Sequence, residues 1–82
     1  MADIWATFEN GYGESRRYVI VDQGRDPNSP PVIFDGYLDP DAKTDWLALY
    51  ADGSYGRVVY QRSDGAQQVV DSITNESNVR MS

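Results

Sequence analysis

The chain has 82 residues, 40% of them apolar and 12% aromatic, and its 13 acidic side chains outweigh 7 basic ones for a net charge of −6. That length holds one hydrophobic core and no second. The absence of cysteine and histidine excludes disulfides, thiolate chemistry, zinc sites of Cys and His, and the Ser-His-Asp and Cys-His nucleophilic systems.

In chain order, Ile4 to Phe8 has the apolar and β-branched character of a strand. Asn10-Gly11, inside "ENGYGE", is a favoured pair for a tight turn with positive φ. "RRYVIVD" (16–22) returns as a second strand, so the first 22 residues predict a hairpin. On that second strand Tyr18, Ile20 and Asp22 share one face, and Arg17, Val19 and Val21 share the other. "QGRDPNSPP" (23–31), with three prolines and a glycine, is a loop. "VIFDGYL" (32–38) is a third strand, with Asp35-Gly36 suggesting a bulge or bend.

From Asp39 two readings compete. In one, Asp39 caps a helix, Pro40 occupies its first position, Asp41 is favoured by the helix dipole, and Ala42, Trp46, Leu49 and Tyr50 fall on one side before Gly53. In the other, "WLALYA", "YGRVVYQR" and "AQQVVDSIT" are three strands joined at Asp52-Gly53 and Asp64-Gly65. The spacing of those two pairs favours the meander, with a helical turn only near 40–45. The polar tail "NESNVRMS" (75–82) is expected to fray. The expected fold is mainly β and a single domain over 1–82. It is a small antiparallel sheet of five or six short strands, with an N-terminal hairpin and a C-terminal meander. At most one short helix lies near 40–50, and the sheet has the option of curling into a half-open barrel.

Trp5, Phe8, Tyr18, Phe34, Tyr37, Trp46, Tyr50, Tyr55 and Tyr60 can build a core from few residues, so the chain reads as folded. Neither a basic-then-apolar leader nor an apolar run near the ~20 residues of a membrane span is present, and the expected location is the cytoplasm.

The stretch "FDGYLDPDAKTDW" (34–46) concentrates four aspartates: Asp35, Asp39, Asp41 and Asp45. As a calcium loop starting at Asp39 it places Lys43 where a ligand belongs and Tyr50 where the bidentate glutamate belongs, which argues against a dedicated site. Paired carboxylates catalyse from within a cleft, and one small sheet offers little wall for one, so no enzymatic activity and no cofactor are expected. "GYG" (11–13) lacks the lysine and helix of a phosphate loop and reads as turn chemistry. "NES" (75–77) matches a glycosylation acceptor without a secretory context. If the acidic stretch runs extended, its four odd-numbered aspartates point to one side. Glu9 and Glu14 flank the first turn, and Asp52 and Asp64 occupy the later ones. The bland explanation is that aspartate suits turns and a soluble protein keeps its charge away from zero. Tyr12, Tyr37 and Tyr55, each beside a glycine, are candidate contact residues.

A short acidic chain without cysteine or a catalytic signature resembles the phage-encoded inhibitors of bacterial defence, of which anti-CRISPR proteins are the best-known group. The resemblance is one of profile, carried by Asp35, Asp39, Asp41, Asp45 and the acids of the flanking turns. It implies a non-catalytic DNA mimic that occupies the nucleic-acid site of a basic protein or complex in the host cytoplasm. The physical expectation agrees. A surface of this sign repels nucleic acid and anionic membrane and attracts Lys and Arg that normally hold phosphate. The expected partner-binding residues are Asp35, Asp39, Asp41, Asp45, Tyr37, Glu9 and Glu14. Two other classes stay open: an assembly module that associates through a sheet edge or a tyrosine face, and a small ligand-binding or catalytic domain.

Overall fold

The computed structural model describes residues 3–53 and 55–81, and these form seven β-strands and no helix. The strands are β1 (Asp3–Asn10), β2 (Arg16–Asp22), β3 (Val32–Leu38), β4 (Leu47–Asp52), β5 (Tyr55–Arg62), β6 (Gln67–Ile73) and β7 (Ser77–Met81). Alternation decides which residues are inside. In β1 the even positions Ile4, Ala6, Phe8 and Asn10 are buried. In β2 the buried set is the predicted face, Tyr18, Ile20 and Asp22.

The strands form one open sheet in the order β3-β2-β5-β4-β1-β7, with β6 also pairing with β5. The strand β5 runs antiparallel to both β2 and β6 over most of its length. It meets β4 only at Ala51↔Gly56 and Asp52↔Tyr55. Beyond that point β4 leaves β5 and pairs through Leu47–Tyr50 with β1. This divergence curls the sheet into two wings, and their inward faces share one core. Phe8, Tyr18, Ile20, Leu49, Val58 and Met81 are fully enclosed there. The rings of Tyr18 and Tyr60 meet edge to face at 5.9 Å, a favoured aromatic geometry.

The meander is present as expected: β4, β5 and β6 are consecutive and antiparallel, and Gly53 and Gly65 take φ of 73° and 88° at the two Asp-Gly turns. The N-terminal hairpin is not. The strand β1 pairs with β4 and β7, whereas β2 pairs with β3 and β5. Gly11 is not at positive φ; it is needed because β7 approaches closely. Its N–H donates to Met81 O at 2.6 Å, and a Cβ there would also stand 2.6 Å from that oxygen.

The tail forms the strand Ser77–Met81 and not a frayed end, and Ser82 lies outside the described residues. Its residues pair parallel with β1 from Ala6↔Ser77 to Asn10↔Met81, and Met81 is buried. The helical turn near 40–45 is replaced by a tight turn in which Ala42 N–H donates to Asp39 O at 2.9 Å and Asp41 has φ 64°. Aspartate tolerates that conformation as a single residue. Asp35-Gly36 pairs regularly with Val19 and Tyr18. The irregularity of β3 lies at Ile33, between the pairs Ile20↔Phe34 and Val21↔Val32.

Candidate partner-binding surface

The acidic stretch does not run extended. It ends β3 at Leu38, turns at Pro40–Asp41, touches β1 through the Glu9↔Lys43 bridge and enters β4 at Leu47. Its four aspartates therefore fall in different surroundings. Asp35 sits mid-strand, where the Arg17 side chain grips it with Nε at 2.9 Å and Nη2 at 2.8 Å. That hydrogen bond, followed by the attraction of the carboxylate, raises the Arg17 pKa from its ordinary value. The charge of Asp35 is thus balanced locally. Tyr37 shares the outward side of β3 and is the most exposed large aromatic residue, at 72%.

Asp39 accepts a hydrogen bond from Ser15 Oγ at 3.1 Å. Asp41, with its side chain 75% exposed, meets Arg80 Nη2 at 3.3 Å. The carboxylate of Asp45 has no hydrogen bond or ion pair among the described residues; its backbone carbonyl accepts from Thr44 Oγ1. Glu9 lies lower on β1, where Arg80 Nη1 donates to it at 2.6 Å and Asn78 Nδ2 at 2.8 Å. Glu14 is exposed in the β1–β2 connection. The structure thus collects Asp39, Asp41 and Asp45 on one connection, with Glu9 beside it. Asp35 and Tyr37 lie apart on β3.

What fixes this connection is the buried side chain of Asn10. Its Nδ2 donates to Glu14 O at 2.9 Å and Leu38 O at 2.8 Å, and its Oδ1 accepts from Tyr12 N–H at 2.8 Å and Tyr18 O–H at 2.9 Å. The backbone adds Asn10 N–H to Ala42 O and Asp41 N–H to Asn10 O, both at 3.0 Å. One asparagine at the end of β1 thus holds the start of β2, the end of β3 and the acidic turn. Asp22 does similar work at the opposite end: fully buried, it accepts from Tyr50 N–H at 2.8 Å and Arg25 Nε at 3.2 Å. Neither role stands out in the sequence, although Asn10 does continue the even-numbered inward series of β1.

The aromatic expectation needs correction. Trp5 and Trp46 are not core residues; they are 48% and 53% exposed. Trp5 follows from its odd position in β1, and Trp46 from the alternation that sends Leu47, Leu49 and Ala51 inward. Tyr37 and Tyr55 are likewise outside the core, at 72% and 54% exposure, and Tyr12 is exposed as well.

A surface cleft of about 430 Å³ is lined by Gln23, Pro27, Tyr55, Arg57, Asp71 and Ser72. Among the described residues it brings together one carboxylate, Asp71, and one guanidinium, Arg57. No group of three metal-ligating side chains converges among the described residues, and no helix among them is long and apolar enough to cross a membrane. Comparison with protein-family models, curated proteins and solved structures finds no match.

Proposed function

We propose that this protein is an acidic, non-catalytic binding protein that blocks a basic, nucleic-acid-handling partner by occupying its nucleic-acid site. The observation that carries this is the connection from Asp39 to Asp45, which presents three exposed carboxylates. Of these, Asp39 and Asp45 have no ion pair among the described residues and Asp41 has a single contact, at 3.3 Å. On a chain of charge −6 they would steer a cationic groove toward the protein and then bond to the Lys and Arg that otherwise hold phosphates. Glu14 extends this surface. Glu9 and Asp35 serve it less directly, since Arg80 and Arg17 already balance them. The setting that suits this activity is the cytoplasm of a host cell in which the protein opposes a defence system, as in the anti-CRISPR group.

The test is capture of partners from host lysate at low and high salt, with and without added DNA or RNA, using the parent chain and the variant D39N/D41N/D45N. The expected catch is a nucleic-acid-binding protein, released by salt and by nucleic acid and absent from the variant. The same partner held equally by the variant, or one indifferent to salt and nucleic acid, would overturn the proposal.

A second reading, an assembly module, is favoured by the exposed Val32 and Val69 on β3 and β6, each of which pairs along one edge only among the described residues. Self-association that survives high salt would support it.

A further inference from the structure

Both tryptophans of the chain are half exposed, and the strand register puts them at diagonal positions of β1 and the start of β4. Trp5 pairs with Ala48 on the outward side of β1 and β4. On one side of Thr7 the pairing runs Glu9↔Lys43, with Thr44 N–H donating to Phe8 O at 2.8 Å; on the other it runs Ala6↔Leu47. Two residues, Asp45 and Trp46, are therefore left opposite Thr7, a bulge of one extra residue. The bulge leaves Asp45 and Trp46, both exposed, as neighbours opposite Thr7, with Trp46 at the position diagonal to Trp5. Diagonal neighbours on such a pair lie about 7–8 Å apart, within reach of aromatic side chains.

The other end of the same face shows these groups satisfied. There Asp3 is paired with Tyr50, the Arg25 guanidinium lies 5.8 Å from the Tyr50 ring, and its Nη2 donates to Asp3 at 2.8 Å. Arg16 stacks in the same manner 3.6 Å from the Tyr12 ring. Trp5, Trp46 and Asp45 supply the aromatic planes and the carboxylate without a guanidinium. The other arginines are engaged elsewhere: Arg17 with Asp35, Arg62 with Asp64, Arg80 with Glu9 and Asp41, while Arg57 lines the cleft on the other wing. Lys43 makes no ion pair among the described residues.

We infer that this face takes an arginine side chain of a basic polypeptide, its guanidinium stacked on Trp46 and Trp5 and paired with Asp45, an inference that rests on the acidic turn being the interface with a basic partner. Complementarity of charge selects a cation, and the flat aromatic surface selects arginine over lysine because the guanidinium is planar, weakly hydrated and able to grip a carboxylate with two N–H groups.

The test is a titration of the full chain with a synthetic nine-residue arginine peptide and with its lysine counterpart. Trp5 and Trp46 are the only tryptophans, so their fluorescence reads the face directly. The expected result is a saturable change with the arginine peptide and weaker binding of the lysine peptide. W46A and D45N should each weaken the arginine peptide by about 5- to 30-fold, the range of a desolvated cation–π contact or a charged hydrogen bond. Because Trp46 is half exposed, W46A is expected to fold; W46Q serves as a second variant, and a thermal melt checks both. Equal affinity for the two peptides, unchanged affinity in W46A and W46Q, or no binding at low salt would overturn the inference. The double variant D39N/D41N separates the two ideas. Binding lost there but kept in the Trp46 variants leaves the acidic turn standing and removes the arginine face. Binding lost in the Trp46 variants but untouched by D39N/D41N supports the arginine face and counts against the turn.

Discussion

Asn10 is the residue whose removal should cost the fold most for its size. Asn10→Ala leaves Tyr18 O–H, Leu38 O, Glu14 O and Tyr12 N–H without their side-chain partner, and the first two lie in the interior. The expected loss is on the order of 3 kcal/mol, read by denaturant unfolding. Tyr18 and Asp64 each tie stability to pH. Burial raises the Tyr18 pKa above the ordinary phenol value of 10.0. The unfolded chain therefore gives up that proton first, and stability falls as pH rises through the alkaline range. Tyr18→Phe should flatten that limb while lowering stability at neutral pH. Asp64 behaves oppositely. The Ala66 N–H, followed by the attraction of nearby arginines, holds its carboxyl below the ordinary value of 3.8. Its contribution is present above that value and fades as pH falls through the folded pKa, so Asp64→Asn should reduce the acid dependence of unfolding. At this scale the sequence was partly legible. The inward series of β1 contains Asn10, but Asn-Gly is so common a turn pair that the turn role concealed the buried one.

Strands were easier to read than their partners. The bounds of β2 and β5 match the apolar alternation and the turn residues beside them, because both signals are local. The pairing of β1 was missed because it depends on β7, a partner some seventy positions away, which is five residues long and mostly polar. Gly11 records that contact. Gly11→Ala would push a methyl into Met81 O, and the expected cost is about 1–3 kcal/mol, the range for an overpacked site. Faster amide exchange at Val79 and Met81, with β5 unaffected, would show that the damage is confined to β7. The bulge at Asp45–Trp46 was equally hidden. It exists only as a mismatch between two registers, and a single strand carries no trace of it.

Over the whole molecule, charge was legible but its local balance was not. The acidic stretch is plain in the sequence. Which of its carboxylates remain unpaired depends on arginines 18 and 39 positions away, Arg17 for Asp35 and Arg80 for Asp41. The variant D39N/D41N/D45N lowers the net charge from −6 to −3. All three side chains are exposed, so its melting temperature should stay within a few degrees of the parent while its electrophoretic mobility and its salt-dependent association both fall. A large drop in melting temperature would mean that the turn is structural and not a docking surface.

The parallel pairing of β7 with β1 also bears on how the chain comes off the ribosome. Thr7 and Asn78, hydrogen-bonded side by side, are 71 positions apart, a delay of roughly 4–14 s at ordinary rates of synthesis. Until the last strand emerges, β1 is a bare edge carrying an exposed tryptophan, a template for any neighbouring chain. A chain truncated before Ser77 would leave that edge open permanently. Its product is expected to enter the insoluble fraction to a greater extent than the 82-residue chain.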